Sequence, residues 1–120
     1  MAIRSHEDLH AWKASLDLAE QCFDLTQGFP AAERFSLGTQ LQRAALSVPA
    51  NIAEGNSRPR QAYLNHLSIA LGSLAEVQTC LELCRRRKMG DDASLELAQA
   101  KSKEVGRLLS GLVRALKRLG

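Results

Sequence analysis

Hydrophobic positions along this chain recur mainly at intervals of three and four, the spacing that places side chains on one face of a helix. The pattern is strongest in the run Leu37, Leu41, Ala45, Val48 and Ile52. It predicts four helices, over about 8–27, 31–54, 58–88 and 92–120. No segment alternates apolar and polar residues as a half-buried strand does, so the pattern predicts an all-α protein.

Helix-breaking residues separate the four segments. The breaks are at Gly28-Phe29-Pro30, Gly55-Asn56 and Met89-Gly90. Ser5 or Asp8 can cap the first helix, and the carboxylates of Asp91 and Asp92 suit the start of the fourth. Because the connections are short, we expect neighbouring helices to be antiparallel, in an up-down four-helix bundle that forms a single domain over residues 1–120.

The same spacing predicts the inward faces of the other three helices. In the first helix these residues are Leu9, Trp12, Leu16, Ala19 and Phe23. In the third they are Tyr63, Leu67, Leu71 or Ala70, Leu74, Leu81 and Cys84, and in the fourth Leu95, Ala98, Val105, Leu108 with Leu109, Leu112 and Leu116. Gly72 lies in the middle of the third helix. It indicates either a close helix crossing, against the Ala44-Ala45 or Ala50 region, or simple tolerance of a residue that weakens helices.

The second helix has a polar face beside its apolar one. Side chains with defined hydrogen-bond geometry recur there at three and four, namely Gln40, Arg43, Ser47, Asn51, Glu54 and Arg58. We name Gln40, Arg43, Ser47, Asn51 and Glu54 the polar seam. We expect the polar seam to specify packing or subunit assembly, and the alternative is contact with a partner or nucleic acid. Pro49 denies the Ala45 carbonyl its usual donor, so we also expect a kink at Pro49, with Ser47 or a neighbouring side chain compensating.

The composition agrees with a helical core. The chain has 120 residues, of which 45% are hydrophobic and only 4% aromatic. This content is enough to fold one domain and favours helices over strands. No apolar run approaches the roughly 20 residues that span a bilayer, and the N-terminus lacks the apolar core of a signal peptide. We therefore expect a cytoplasmic protein without a membrane role.

The residue types that carry enzyme or metal chemistry form no recognisable motif. Cys22, Cys80 and Cys84 are an odd number without a secretory signal, which argues against a disulfide framework. Cys80 and Cys84 can in principle join His66 or His10 at a metal, but they form no CxxC pair. We expect all three thiols in the core. With no Glu-x-x-His pair and no Gly-rich phosphate loop, we expect no metal, no cofactor and no enzyme activity.

The net charge of +3 is unevenly distributed. Residues 1–40 carry three basic and six acidic side chains, whereas residues 41–120 carry thirteen basic and seven acidic ones. The densest run of cations is Arg85-Arg86-Arg87-Lys88, and the nearby Glu82, Asp91 and Asp92 can neutralise only part of it. We expect nucleic-acid phosphates to be contacted, without base readout, by Arg85, Arg86, Arg87 and Lys88, together with Arg58 and Arg60. The alternative is a solvated helix end that its own dipole stabilises.

Several spaced motifs follow one another along residues 8–88. They are Leu9-x-x-Trp12-Lys13, Phe29-Pro30-x-x-Glu33-Arg34-Phe35-x-Leu37, Gln40-Leu41-x-Arg43-Ala44-Ala45-x-Ser47-Val48-Pro49-x-Asn51-Ile52-Ala53-Glu54-Gly55 and Leu67-x-Ile69-Ala70-x-Gly72-Ser73-Leu74-x-Glu76. In these motifs the chain resembles a bacterial four-helix-bundle protein family. That family includes proteins encoded by intervening sequences in large-subunit ribosomal RNA genes and the accessory proteins of diversity-generating retroelements. The fourth helix matches only by length and pattern, and Lys88-Met89-Gly90 replaces a Gly-Tyr type of turn.

The resemblance implies an up-down four-helix bundle that assembles into a ring-like homopentamer with a basic surface. For the retroelement branch it also implies nucleic-acid binding and a reverse transcriptase as partner. Two functions therefore remain open. One is a homo-oligomeric accessory protein that binds RNA or DNA without sequence preference. The other is an oligomeric scaffold whose ligands are proteins, and salt-dependent binding of generic RNA or DNA distinguishes the two.

Overall fold

The computed structural model describes His6 and residues 9–119, and the described residues form four long helices. They are α1 (His10–Gln27), α2 (Thr39–Asn56), α3 (Arg60–Arg87) and α4 (Asp92–Arg118). A short helical turn, Ala31–Glu33, and a π-helical segment, Arg34–Gly38, lead directly into α2. The predicted all-α fold with four helices is confirmed. Ser5 and Asp8, the predicted caps of the first helix, lie outside the described residues.

Each long helix packs against two others: α1 and α3 both pack against α2 and α4. Between α2 and α3, Ser47 meets Ser73 and Asn51 meets His66, so residue numbers rise along one helix as they fall along the other. The buried apolar side chains of all four helices form one core. Its largest members include Leu18, Leu25, Leu41, Ile52, Leu67, Leu81 and Leu109. The bundle measures 47 × 22 × 20 Å along its principal axes.

Side chains outside the four long helices bond to backbone groups at two of the helix ends. Arg34 donates from Nε to the Phe29 carbonyl (3.2 Å) and from Nη2 to the Gln27 carbonyl (3.3 Å), which occupies acceptors at the end of α1. The carboxylate of Asp91 accepts from the Ser94 N–H (2.9 Å) and so caps α4. The bonds from Ser94 also lower the pKa of Asp91. The chain reversals at both positions are therefore fixed by hydrogen bonds as well as by the breaker residues.

The predicted inward face of the first helix is confirmed at Leu9 and Ala19, which are buried, but is wrong at Phe23. Phe23 is 40% exposed, and Leu16 is only partly buried. The fully buried side chains of α1 centre on Leu18 and Leu25 instead. Small residues fill much of the remaining buried face, and they include Ala11, Ala14 and Ser15. Because such residues give little hydrophobic signal, the larger apolar side chains on one flank dominate the sequence pattern.

The predicted inward faces of the other helices agree better with the structure. The predicted residues of α2 and α3 that are buried are Leu41, Ala45, Val48, Ile52, Tyr63, Leu67, Ala70, Leu74, Leu81 and Cys84. In α4, Leu109 is fully buried, whereas Leu108 is only partly so. These faces are lined by larger residues, which explains why the spacing located them correctly.

The second helix continues through Pro49, which is buried. A bend at Pro49 stays a prediction. Asn51 donates its side-chain amide to the Ser47 carbonyl (2.9 Å), not to the Ala45 carbonyl whose donor the proline removes. The helix ends at Asn56, slightly later than predicted, and the π-helical segment before it was not predicted.

The prediction that Gly72 marks a helix crossing is wrong. A Cβ atom added at Gly72 meets nothing within 4 Å, so the position simply tolerates a glycine. The close approach occurs at Gly55 instead. A Cβ atom there would lie 2.7 Å from Cβ of His66 and 2.9 Å from Cδ1 of Tyr63. The missing side chain of Gly55 therefore allows α2 and α3 to come together just before the chain reverses.

By length and apolar content alone, α3 meets the criterion for a helix that crosses a membrane. A helix in the core of a bundle meets the same criterion. Leu67, Leu74 and Leu81 of α3 are buried against the other helices. The apolar content of α3 is therefore weak evidence for a membrane location.

Candidate nucleic-acid interface

The basic cluster, which we define as Arg85, Arg86, Arg87 and Lys88, forms the end of α3. The Lys88 N–H bonds to the Arg85 carbonyl (3.3 Å) and the Met89 N–H to the Cys84 carbonyl (3.0 Å), the paired bonds of a Schellman motif. Lys88 itself has a left-handed backbone, with a φ of 55°. Glycine usually occupies such a position, because left-handed backbone costs other residues about 1–2 kcal/mol. The helix end thus holds a lysine in a strained conformation beside three arginines.

One carboxylate, that of Glu82, binds the first two arginines of the cluster. Arg85 donates to it through Nε (3.0 Å) and Nη2 (2.6 Å), and Arg86 donates through Nε (3.0 Å). These bonds lower the pKa of Glu82 to about 2. The side chains of Arg85 and Arg86 nevertheless stay 58% and 71% exposed. Solvent screens exposed ion pairs of this kind, so a phosphate group can replace Glu82.

The other two cations of the cluster are less engaged. Within the described part of the chain, Arg87 and Lys88 make no ion pair, and both are exposed. Arg87 lines a shallow groove of about 300 Å³ that also contains Glu33 and Gln40. Asp91, which is close enough in sequence to neutralise part of the cluster, instead caps α4. The cluster therefore presents four cations to solvent with one bound carboxylate.

Arg58 and Arg60 lie at the opposite end of α3, about 40 Å from the basic cluster along the helix axis. Arg58 pairs with Glu54 (3.3 Å), and Nη1 of Arg60 donates to the Leu116 carbonyl of α4 (3.3 Å). The six residues predicted to contact nucleic acid therefore form two separate groups. Only the group at the end of α3 combines four adjacent cations.

Two residues of the polar seam, Ser47 and Asn51, meet α3. The Oγ atoms of Ser47 and Ser73 are 2.8 Å apart. Nδ2 of Asn51 donates to the carbonyl (2.9 Å) and to Oγ (3.1 Å) of Ser47, while its Oδ1 lies 3.0 Å from Nδ1 of His66. These four side chains form a hydrogen-bonded network across the contact between α2 and α3.

The network fixes the position of a proton on His66. Oδ1 of Asn51 can only accept, so Nδ1 of His66 carries the proton and donates it. In the neutral ring Nε2 is then the acceptor. Neither His66 nor Ser73 was among the predicted site residues. The sequence contains one indication that they belong together. They are seven positions, or two helical turns, apart, which places both polar side chains on one face of α3.

The remaining residues of the polar seam do not join this network. Gln40 and Arg43 line a shallow groove of about 330 Å³ between α2 and α3. Glu54 pairs with Arg58 on its own side of the bundle. A role for Gln40, Arg43 and Glu54 in packing or assembly stays a prediction.

The three cysteines are buried, as predicted. Burial raises the pKa of Cys22 to about 12 and that of Cys84 to about 11. Both thiols therefore stay protonated and unreactive at neutral pH. Within residues 9–119 and at His6, no three His, Cys, Asp or Glu side chains are grouped so as to hold a metal ion.

The chain is similar to known proteins in both sequence and fold. The family model of the 23S rRNA-intervening sequence protein matches residues 7–111. The fold is similar to the crystal structure of a protein of unknown function from the S23 ribosomal protein family of Bacteroides thetaiotaomicron, with a TM-score of 0.78 and 26% sequence identity. That similarity covers 87% of this chain and 95% of the other. No curated protein matches the chain.

Proposed function

Because the chain belongs to the 23S rRNA-intervening sequence protein family, we propose that it is a cytoplasmic, non-enzymatic homo-oligomer that binds nucleic acid through the basic cluster. The contacts are to phosphates and carry no base readout. A homopentamer is the assembly that the family resemblance implies. Such a ring would bring together about 20 positive charges from five copies of the cluster, a local field that attracts a polyanion.

The observation that carries this proposal is the exposure of four adjacent cations at the end of α3. A single exposed carboxylate, Glu82, binds two of them. Neutralising phosphates releases counterions, so affinity should fall steeply as salt rises and depend little on sequence. Lys88 adds support, because its strained backbone keeps a cation where a glycine would be easier to accommodate.

The test replaces three cluster arginines in one variant, Arg85→Gln, Arg86→Gln and Arg87→Gln. Filter binding of generic RNA and DNA between roughly 50 and 200 mM salt should show weaker binding and a flatter salt slope than for the wild type. The helix end contributes little to the core, so the variant should keep the wild-type helicity and oligomer.

The matched control removes three exposed cations of α4, with Arg107→Gln, Arg114→Gln and Arg118→Gln. Both triple variants lower the net charge from +3 to 0. The control should bind nucleic acid more tightly than the cluster variant. Equal losses of nucleic-acid affinity in the two variants would show that total charge determines binding. An unchanged affinity of the cluster variant would show that the basic cluster is not the contact site.

Self-association is tested by light scattering of the purified wild type. We expect a mass several times the 13.1 kDa of one chain at micromolar concentration. A monomer across that range would contradict the proposed assembly.

A protein scaffold without a nucleic-acid role is the second candidate. The large exposed apolar side chains favour it, among them Phe35, which is 85% exposed, and Leu97, which is 61% exposed. An oligomer that binds neither RNA nor DNA at low salt would support the scaffold and exclude the first proposal.

A further inference from the structure

The two halves of the bundle carry opposite charge. Residues 10–56, which include α1 and α2, contain three basic and five acidic side chains. Residues 60–118, which include α3 and α4, contain eleven basic and six acidic ones. Since α1 packs against α2 and α3 packs against α4, these sequence halves are also the two sides of the molecule. The bundle is therefore negative on one side and positive on the other.

Exposed apolar side chains with acidic neighbours lie on the negative side. Phe23 is 40% exposed and lies with Leu16, Glu20 and Asp24 on one open surface of α1. Phe23 is one helical turn before Thr26, whose hydroxyl accepts from Gln42 of α2 (2.8 Å). This surface therefore faces outward on the side shared with α2. We name Leu16, Glu20, Phe23 and Asp24 the acidic ridge.

An apolar groove with basic ends lies on the positive side, between α3 and α4. It has a volume of about 510 Å³. Its apolar lining comes from Leu64, Leu71 and Val113, all partly exposed, and the exposed cations Arg60 and Lys117 lie at its edge. We name these five residues the basic groove. The bond from Arg60 to the Leu116 carbonyl holds that guanidinium across the end of α4.

The two surfaces match each other in charge, and both expose apolar side chains. The acidic ridge carries two carboxylates, and the basic groove carries two cations. They lie on opposite sides of the same bundle and cannot meet within one chain. We propose that copies of this chain associate head to tail, with the acidic ridge of one copy seated in the basic groove of the next.

In this contact Phe23 packs on Leu64, Leu71 and Val113 of the neighbour. Glu20 and Asp24 face Arg60 and Lys117 of the same neighbouring copy. The contact is heterologous, so it closes into a ring or continues as a filament. It leaves the basic cluster free, since that cluster lies at the other end of α3. This inference rests on the proposed self-association and assigns surfaces to it.

Two charge-reversal variants test the contact from its two sides. The ridge variant carries Glu20→Lys and Asp24→Lys, and the groove variant carries Arg60→Glu and Lys117→Glu. Each places like charges opposite one another, which should weaken association by about 100-fold or more. Sedimentation at micromolar concentration should then show mainly the 13.1 kDa chain. Circular dichroism checks that both variants keep the wild-type helicity.

The decisive variant combines all four substitutions, because the reversed ridge then matches the reversed groove. We expect it to recover the oligomer. The matched control, Glu76→Lys with Glu96→Lys, makes the same charge change as the ridge variant outside both surfaces and should remain oligomeric.

The outcomes separate this inference from the proposed function. An oligomeric wild type whose ridge and groove variants both stay oligomeric overturns the head-to-tail contact and leaves self-association intact. A groove variant that stays oligomeric but loses nucleic-acid binding also overturns it, and assigns the groove to nucleic acid. If the ridge variant and the groove variant are both monomeric and the fourfold variant is monomeric too, the head-to-tail contact is also contradicted. A monomeric wild type overturns both proposals.

Discussion

Two regions of α3 carry polar side chains in different surroundings. His66 and Ser73 face α2, where each bonds to one side chain and Gly55 approaches His66 closely. Glu82 and the basic cluster face solvent, and their ion pairs are exposed. In the first region, an added or removed atom forces neighbouring atoms to move or leaves them unpaired. In the second region, water or a ligand can bond to a side chain that has lost its partner. The position of a polar residue relative to the neighbouring helix thus decides whether it stabilises the fold or stays available for binding.

The largest effect is expected for Gly55→Leu. Even its Cβ atom would lie 2.7 Å from the Cβ atom of His66, so α2 and α3 must move apart. We expect a loss of about 3 kcal/mol in the free energy of unfolding, the upper range for overpacking a core. Urea unfolding at fixed protein concentration measures it. The control Gly72→Leu, at an open position, should cause no loss and should gain up to about 1 kcal/mol, because leucine favours a helix over glycine. Similar losses for both variants would contradict the close approach at Gly55.

A smaller loss is expected for Asn51→Ala, which removes the centre of the network between α2 and α3. Nδ1 of His66 then loses its acceptor, and a partly buried donor is left unpaired. We expect about 1–2 kcal/mol of destabilisation in the same urea experiment. Gln61→Ala is the control, because Gln61 bonds only to the exposed Asn65. A cost for Asn51→Ala no greater than for Gln61→Ala would show that the network contributes nothing.

Gly72→Ala should have the opposite sign. The added Cβ atom meets nothing within 4 Å, and alanine favours a helix over glycine by about 1 kcal/mol. We therefore expect an increase in stability of up to about 1 kcal/mol. A higher midpoint of urea unfolding with an unchanged slope is the signature. A loss of stability would mean that the exposed side of α3 is covered by another copy of the chain.

The smallest effect on stability concerns the exposed region. The pKa of Glu82 is lowered from 4.5 to about 2, chiefly by hydrogen bonds from Arg85 and Arg86. Because the folded pKa lies below the unfolded one, the stabilisation is present above about pH 4.5 and is lost as the pH falls towards 2. Arg85→Gln with Arg86→Gln should return the pKa of Glu82 towards 4.5. Carboxyl NMR titration measures it, and an unchanged midpoint would show that the pairs do not form in solution.

The sequence predicted the faces of the helices where large residues line them. Leu41, Val48 and Ile52 are buried as their spacing indicates. The first helix was misjudged because alanine and serine occupy much of its buried face, and residues of that size appear on surfaces too. Gly72 was also misjudged, because a glycine in a sequence shows that a side chain is absent but not that another helix lies close to it.

The candidate sites were predictable to a different degree. The basic cluster is contiguous in sequence, so its location at the end of one helix followed directly. The separation of Arg58 and Arg60 from it follows from the length of α3. The pairing of Asn51 with His66 depends on how α2 and α3 are rotated against each other, and a single sequence contains no direct record of that rotation. The acidic ridge was not predicted, because Phe23 was assigned to the core.

The π-helical segment Arg34–Gly38 has a consequence for how the chain tolerates changes in length. Its wide turn takes one residue more than an α-helical turn, and the hydroxyl of Thr39 bonds to the Arg34 carbonyl there (3.0 Å). Deleting one residue would convert it to ordinary helix, and the residues on either side would keep nearly the same orientation, because the wide turn already accommodates one extra residue. The buried stripe of α2 lies downstream and would keep its register. The fold can therefore tolerate a one-residue insertion or deletion in this segment. The side chain whose direction changes is that of Phe35.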